Sequence, residues 1–207
     1  MKDASSKSLA GRFIVIDGSD GSGKTTQVGM LAEHLSSTGQ SVVTVRDPGG
    51  TDIGEAIRQI LLSPAHEKMS ARTELLLYTA ARMQLWRERI CPALQAGSCV
   101  LSDRWIYSTC AYQGSAGRIG TETVCQLTEA VGLHWADRAV ILDIDAQAGL
   151  ARLSGKPDRM ESKPLDFHQA VRQGYLALAE VRLEVTVIDA AGSIENIQQA
   201  IRCALGV

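Results

Sequence analysis

From Gly18 the chain reads Gly18-Ser19-Asp20-Gly21-Ser22-Gly23-Lys24-Thr25-Thr26, a glycine-rich loop that ends in an amine and two hydroxyls. The spacing G-x-x-x-x-G-K-[ST] suits a polyphosphate. Backbone N–H groups of the loop point at phosphate oxygens, Lys24 reaches the terminal phosphates, and the Thr25 hydroxyl ligates Mg²⁺. Glycine is required where a Cβ would block a positive φ and hold phosphate away from the amides. An apolar run, Phe13-Ile14-Val15-Ile16, leads into the loop, and Val28, Leu31, Ala32 and Leu35 follow it at helical spacing. A strand, a loop and a helix in that order are the context this motif needs, and they imply a nucleoside-triphosphate site.

Two further segments carry chemistry. Arg46-Asp47-Pro48-Gly49-Gly50-Thr51 is a turn, because its proline and paired glycines exclude regular structure. Leu101-Ser102-Asp103-Arg104-Trp105 ends an apolar run and continues through Ile106-Tyr107-Ser108-Thr109-Cys110-Ala111-Tyr112-Gln113-Gly114. Asp103 suits a Mg²⁺ ligand, directly or through water, beside Thr25, and Arg104 suits a phosphate; the bland alternative is a structural ion pair at a strand end. Tyr78 and Arg82, four apart, share a face of a helix expected over roughly 72–90, with Leu75, Thr79, Met83 and Trp86 on its core stripe. The competing reading buries Tyr78 in the core and leaves Arg82 in solvent. His34, His66, His134 and His168 lack metal-ligand spacing and read as surface or capping residues. Cys91, Cys99, Cys110, Cys125 and Cys203 form no C-x-x-C pair and read as small core side chains, free thiols of a reducing compartment.

The elements that must hold these residues are legible from periodicity. Apolar runs suited to buried parallel strands fall at 12–17, 41–45, 98–102, 138–144 and 184–188, separated by stretches of helical spacing. The fold class is α/β, a parallel sheet of about five strands with helices on both faces, and its ligands gather at the carboxyl ends of the strands. Gly39 and Gly97 sit where helix ends call for a left-handed residue. At 207 residues, 45% hydrophobic and 21% charged, one domain over 12–207 is the simplest count, with a flexible polar tail over 1–11 and a short lid over about 152–164. A net charge of -2 argues against a broad nucleic-acid footprint while leaving room for local basic clusters, and the absence of a long apolar run or signal-peptide core indicates no membrane partner and a cytoplasmic setting.

Taken together, these motifs resemble the thymidylate kinase family of P-loop nucleoside-monophosphate kinases. That family shows E-G-x-D-G-x-G-K-T-T-Q, R-E-P-G-G-T, D-R-Y with S-x-x-A-Y-Q-G, and a lid ending D-R-x-E, and the correspondence runs from residue 12 to about 190, including Phe167 to Tyr175. The resemblance implies Mg²⁺-dependent transfer of the γ-phosphoryl group of ATP to dTMP, supplying dTDP for dTTP synthesis, by a homodimer. A phosphate monoester is mostly a dianion at neutral pH, so the acceptor needs no general base. The enzyme must instead bring two repelling anions together and neutralise the transferring group, which calls for Lys and Arg.

On that resemblance Lys24 serves the β/γ-phosphates, Arg104 bridges donor and acceptor, and Arg46, with Pro48 in its loop, holds the monophosphate. Tyr78 stacks on thymine and Arg82 donates to its O4. Tyr112 lies near the sugar, Ser108, Thr109 and Gln113 flank the base edge, and Asp20 approaches the 3′-hydroxyl. Asp17 stands where the family usually has Glu, and Trp105 where it has Tyr. A cis peptide is implied before Pro48. With Gly21 rather than Arg inside the loop, the catalytic cation falls to the lid, where Arg152, Lys156 and Arg159 are the candidates. Arg152 stacking on adenine would leave Arg159 as the main one. Arg172 and Tyr175 would support the lid helix. The alternatives are another deoxynucleoside or deoxynucleotide kinase on this fold, for which Asp17 is the obvious base, and a nucleotide-binding switch with decayed transfer activity.

Overall fold

The computed structural model describes residues 8–207. Five parallel strands, β1 (Phe13–Gly18), β2 (Val42–Arg46), β3 (Cys99–Asp103), β4 (Arg138–Asp143) and β5 (Val185–Asp189), pair in the order β2-β3-β1-β4-β5. Parallel neighbours require crossovers, supplied by α1 (Lys24–Ser37), α2 (Asp52–Leu62), α3 (Ala71–Leu85), α4 (Cys91–Gln95), α5 (Ile106–Thr109), α6 (Thr121–Ala130), α7 (Ala146–Ala151) and α8 (Leu165–Val181), while α9 (Ile194–Leu205) follows β5 and packs on α1. Each strand lies within one residue of its expected place.

The side-chain period of two divides the core. Phe13 and Val15 face one helical layer with Val100, Ala139 and Ile141, against Leu75 of α3 and Val171 and Tyr175 of α8. Ile14 and Ile16 face the other with Leu101, Val140 and Leu142, against Leu31 and Leu35 of α1 and Ile197 and Ile201 of α9. Full burial of each such aliphatic side chain contributes about 1.5–3 kcal/mol. β1 pairs with β3 on one side (Ile14 opposite Leu101) and β4 on the other (Ile14 opposite Arg138), so the chain reverses direction across the sheet around β1. The crevice at that switch point is where such sheets bind ligands.

Local signals set the helix ends. Thr51, Ser70 and Ser193 cap α2, α3 and α9 by accepting from Gly54, Thr73 and Asn196 N–H, and Gly206 closes α9 in the left-handed region. Gly39 and Gly97 also have positive φ, 80 and 81°, as expected of chain reversals. The helix anticipated over 72–90 is α3 followed by a wider π turn, Trp86–Ile90.

Several expectations are corrected. Met83 is 42% exposed rather than core, while Leu75 and Thr79 are buried: the stripe is tilted away from where periodicity alone placed it. His168 is buried, 2% exposed, with Nε2 unpartnered among the described residues, and is no surface residue. Of the cysteines only Cys99 and Cys110 are buried; Cys203 is exposed. The flexible tail expected over 1–11 lies outside the described residues as far as residue 7. At 8–11 it is anchored, with Leu9 buried in the α1/α9 core and Gly11 N–H donating to Gly97 O at 3.0 Å.

Candidate active site

A cavity of about 820 Å³ opens along the carboxyl ends of the strands. Its walls follow the sheet order: Arg46 and Pro48 after β2, Asp103 and Arg104 after β3, Gly21 to Thr26 after β1, Arg152 beyond β4, and Gly192 to Ile194 after β5. The glycine-rich loop is therefore central, with α2, α3, the 105–113 segment and residues 158–161 on one flank and Arg152, Leu153 and the 192–197 segment on the other.

The loop bends over Lys24, whose Nζ donates to Ser19 O at 2.7 Å and Ser22 Oγ at 3.4 Å. Burial, then the Arg104 charge, lowers the Lys24 pKa to about 8. A phosphate dianion laid there restores the ammonium. Gly21, with φ 73°, admits no side chain, because its Cβ would lie 1.9 Å from Gly149 O on α7. Thr25 Oγ1 donates to Asp103 Oδ2 at 2.6 Å, which places two hard oxygen donors side by side on the cavity wall. That donor set fits Mg²⁺, a cation that keeps waters and takes its other oxygens from phosphates. No cluster of three His, Cys, Asp or Glu exists among the described residues to hold a metal without a substrate's help. Gly18, Ser19 and Asp17 lie behind the loop and do not line the cavity.

Arg104 has φ 71°, a left-handed backbone that costs a non-glycine residue about 1–2 kcal/mol. The surroundings enforce it. Arg104 N–H donates to Ile16 O at 3.0 Å, Ser102 Oγ to Arg104 O at 2.6 Å, and Asp17 accepts from the N–H groups of Trp105 and Ser108 at 3.1 and 3.0 Å. Asp17 also accepts from Tyr175 OH at 2.8 Å and is fully buried, so it braces the turn from below. The Arg104 guanidinium reaches Gly18 O, Ser108 Oγ and Asp20, and lies 5.6 Å from the Tyr112 ring centre. Burial would lower its pKa, but Asp20, Tyr112 and Tyr175 outweigh that and raise it. Burial likewise pushes Asp20 up, and Arg104 and Lys24 together bring it below its ordinary value. Tyr112 OH donates to the other oxygen of Asp20 at 2.7 Å.

On the α2–α3 flank Arg46 pairs with Glu55 at 3.2 Å, and Glu55 accepts from Gly50 N–H at 2.8 Å. Arg58, which the motifs did not flag, lines the same wall and donates to Pro48 O at 3.0 Å. Burial and the nearby Arg46 charge lower the Arg58 pKa, a cost that an anion bound beside the two guanidiniums would offset. The only sequence signal for Arg58 was its place three residues after Glu55 on α2. Arg82, 2% exposed, donates through Nε to Asp47 at 2.6 Å and through Nη2 to Thr109 at 2.9 Å, and lies 5.4 Å from the Trp105 ring. It is not solvated, and Tyr78 beside it lines the cavity with Gln113. The Asp47–Pro48 peptide is cis, as the resemblance implied.

The lid behaves otherwise than expected. Arg152 lines the cavity and donates to Ala190 O at 3.0 Å. Arg159 does not line it. Its Nε donates to Leu61 O at 2.7 Å and its Nη1 pairs with the buried Glu74, so a carboxylate holds the cation assigned to catalysis. Lys156 is exposed and away from the cavity. Arg172 pairs with Asp143 at 2.7 and 2.8 Å, bracing α8 against β4.

The family model described as thymidylate kinase matches residues 16–201. The chain is 42% identical over 193 residues to the thymidylate kinase of Symbiobacterium thermophilum, covering 92% of this chain and 90% of that one. To the thymidylate kinase of Pelobacter propionicus it is 44% identical over 201 residues, covering 92% of each. Among solved structures, thymidylate kinase from Ehrlichia chaffeensis superposes with a TM-score of 0.78 at 31% identity, covering 95% of this chain and 98% of that one.

Proposed function

The chain belongs to the thymidylate kinase family, and from that premise we infer that it transfers the γ-phosphoryl group of ATP to dTMP, giving dTDP and ADP. The observation that carries this reading is the placing of Arg104 at the end of β3, the strand that lies between β1 with its glycine-rich loop and β2 with Arg46, whose Cα is in register with that of Asp103. ATP laid along the glycine-rich loop and a monoester held by Arg46 and Arg58 would meet at Arg104. The monoester dianion attacks the γ-phosphorus in line, the β–γ bridging bond breaks, and ADP leaves with that electron pair. Lys24 and Arg104 offset the charge on the transferring group, and no proton need be removed from the acceptor.

Mg²⁺, held by Thr25 and Asp103 with the phosphates, would supply further charge neutralisation. Tyr78 would stack on the base, Arg82 would donate to O4, and Tyr112 and Asp20 would meet the sugar. Arg152, beside Gly192 to Ile194, suits the donor base, so Lys24 and Arg104 are the cations left to carry the transition state.

Homodimerisation is part of the same proposal. Ile53 and Ile60 on α2, and Leu76 and Met83 on α3, are seven residues apart on their helices, all exposed, and the two helices pack together. That apolar face suits a second copy. Unpaired thiols support a cytoplasmic setting, and no helix among the described residues is long and apolar enough to cross a membrane.

ADP release measured with dTMP, dUMP and thymidine tests the acceptor. Turnover with dTMP and none with thymidine is expected. Turnover of thymidine alone would mark a nucleoside kinase, against which stands the burial of Asp17 behind the wall. ATP binding without turnover would mark a switch.

A further inference from the structure

On the inner face of α3, beside Tyr78 and Arg82, lies a polar cluster that phosphoryl transfer does not use. Glu74 on α3, Gln113 and Arg159 are 5, 1 and 4% exposed. One carboxylate oxygen of Glu74 pairs with Arg159 Nη1, and the other accepts from Gln113 Nε2 at 3.0 Å. Arg159 is itself pinned by donating to Leu61 O at 2.7 Å and, from its backbone, to Leu62 O at 3.1 Å.

A primary amide has two ends of opposite character, and nothing in its own shape decides which end faces a ligand. Here the decision is made. A carboxylate paired with a guanidinium accepts and cannot donate, so Gln113 must turn its NH₂ toward Glu74. Its Oε1 is left to offer elsewhere, and no group among the described residues donates to it. Gln113 lines the cavity alongside Arg82 and Thr109. The cluster also leaves Arg159 Nη2 buried and unpartnered, a cost that stability alone would not favour.

We propose that Glu74, held by Arg159, is a positioning residue for base choice: it fixes the Gln113 amide so that an acceptor faces the pyrimidine edge. The inference rests on the dTMP reading above. Arg82 offers a donor and Gln113 an acceptor, which matches the O4 acceptor and N3–H donor of thymine. Cytosine presents the reverse, an N4 donor and a bare N3, and meets like against like at both positions. Uracil has the thymine pattern, so the device separates dTMP from dCMP and not from dUMP.

The test compares kcat/KM for dTMP and dCMP in the full-length wild type and in Glu74→Gln. The substituted amide can donate as well as accept, which frees Gln113 to flip. The preference for dTMP is expected to fall about tenfold or more, through a higher KM for dTMP and a lower one for dCMP, with the KM for ATP unchanged. Arg159→Lys keeps a cation beside the carboxylate and is expected to retain most of the preference. If Glu74→Gln does not fold, the double variant Glu74→Leu/Arg159→Leu replaces the ion pair by apolar volume and frees the same amide. A wild-type preference in folded Glu74→Gln or in the folded Glu74→Leu/Arg159→Leu double variant overturns the proposal. Failure of the wild type to use dTMP would overturn the acceptor assignment and, with it, this inference; dTMP turnover with unchanged base preference overturns this inference alone.

Discussion

A guanidinium that grips a bound monoester and one that meets the transferring group fail differently when removed. Arg58 lines the cavity on the Arg46 side and donates to Pro48 O in the turn after β2. Arg58→Met should therefore raise the KM for dTMP roughly tenfold to hundredfold, the worth of a hydrogen bond to a charged group, with kcat little changed. Thymidine, which lacks the phosphate, should bind the variant as it binds the wild type; an equal loss for thymidine would place Arg58 elsewhere. Arg104→Met should lower kcat by about a thousandfold or more at a nearly constant KM for ATP, as expected of a cation felt most in the transition state. Lys24 adds a pH dependence. Its pKa is lowered from 10.5 to about 8, so between those values the unfolded chain holds a proton that the folded one has lost. This residue thus makes the free protein more stable as pH rises through that window, and contributes no slope below it. ATP affinity runs the other way, because the ammonium is what the phosphates need: calorimetry should show a loss of roughly tenfold from pH 7 to 9. A flat profile would remove Lys24 from the nucleotide site. Of these residues Lys24 and Arg104 were visible in the sequence because motif spacing carries them. Arg58 was not, since only the folded turn at Pro48 brings α2 against Arg46, and the pairing of Arg159 was not, because a cation's partner is invisible until Glu74 is folded beside it.

The strands were legible because a period of two and an apolar run report burial on both faces, and the sheet has little freedom beyond that. Helix faces were less so: the stripe on α3 was recognised, but whether Met83 met the core or the outside depends on a rotation of the helix that spacing does not encode. Contacts between backbones were least legible of all. The loop after β1 and helix α7 touch through two glycines: a Cβ on Gly21 would fall 1.9 Å from Gly149 O, and one on Gly149 would fall 2.5 Å from Asp20 O. Gly149 sits in a helix with ordinary φ, so Gly149→Ala introduces no backbone strain and reports the steric contact alone. It should lower stability by about 1–3 kcal/mol and weaken ATP binding, because the loop must shift to make room. Gly29 in α1 is the control. Nothing lies within 4 Å of its added Cβ, and Gly29→Ala should stabilise by about 0.5–1 kcal/mol through helix propensity alone. Thermal melts of both variants, with and without ATP, decide the matter; a neutral Gly149→Ala would mean that α7 yields to the loop.

Across the whole molecule, one helix serves two surfaces. The inner face of α3 carries Glu74, Tyr78 and Arg82, its outer face presents Leu76 and Met83, and the neighbouring α2 exposes Ile53 and Ile60. Two exposed aliphatic stripes on packed neighbouring helices are costly to leave in water, and the homodimer proposed above would cover them with their own copy about a twofold axis. Such a dimer would press on the backs of the residues proposed to meet the base, while the loop after β1 and Arg152 lie across the cavity from it. Leu76→Glu with Met83→Glu places two carboxylates on that face and should give a monomer by analytical ultracentrifugation at concentrations where the wild type sediments as a dimer. If the partner braces α3, the monomer should show a raised KM for dTMP with the KM for ATP nearly constant, because only the acceptor side loses support. A monomer with unchanged kinetics would leave the interface as a solubility device, and a wild type that already sediments as a monomer would remove the dimer altogether. Both substitutions lie on the exposed face and remove no core contact, so any kinetic change follows from the lost partner rather than from a disturbed fold.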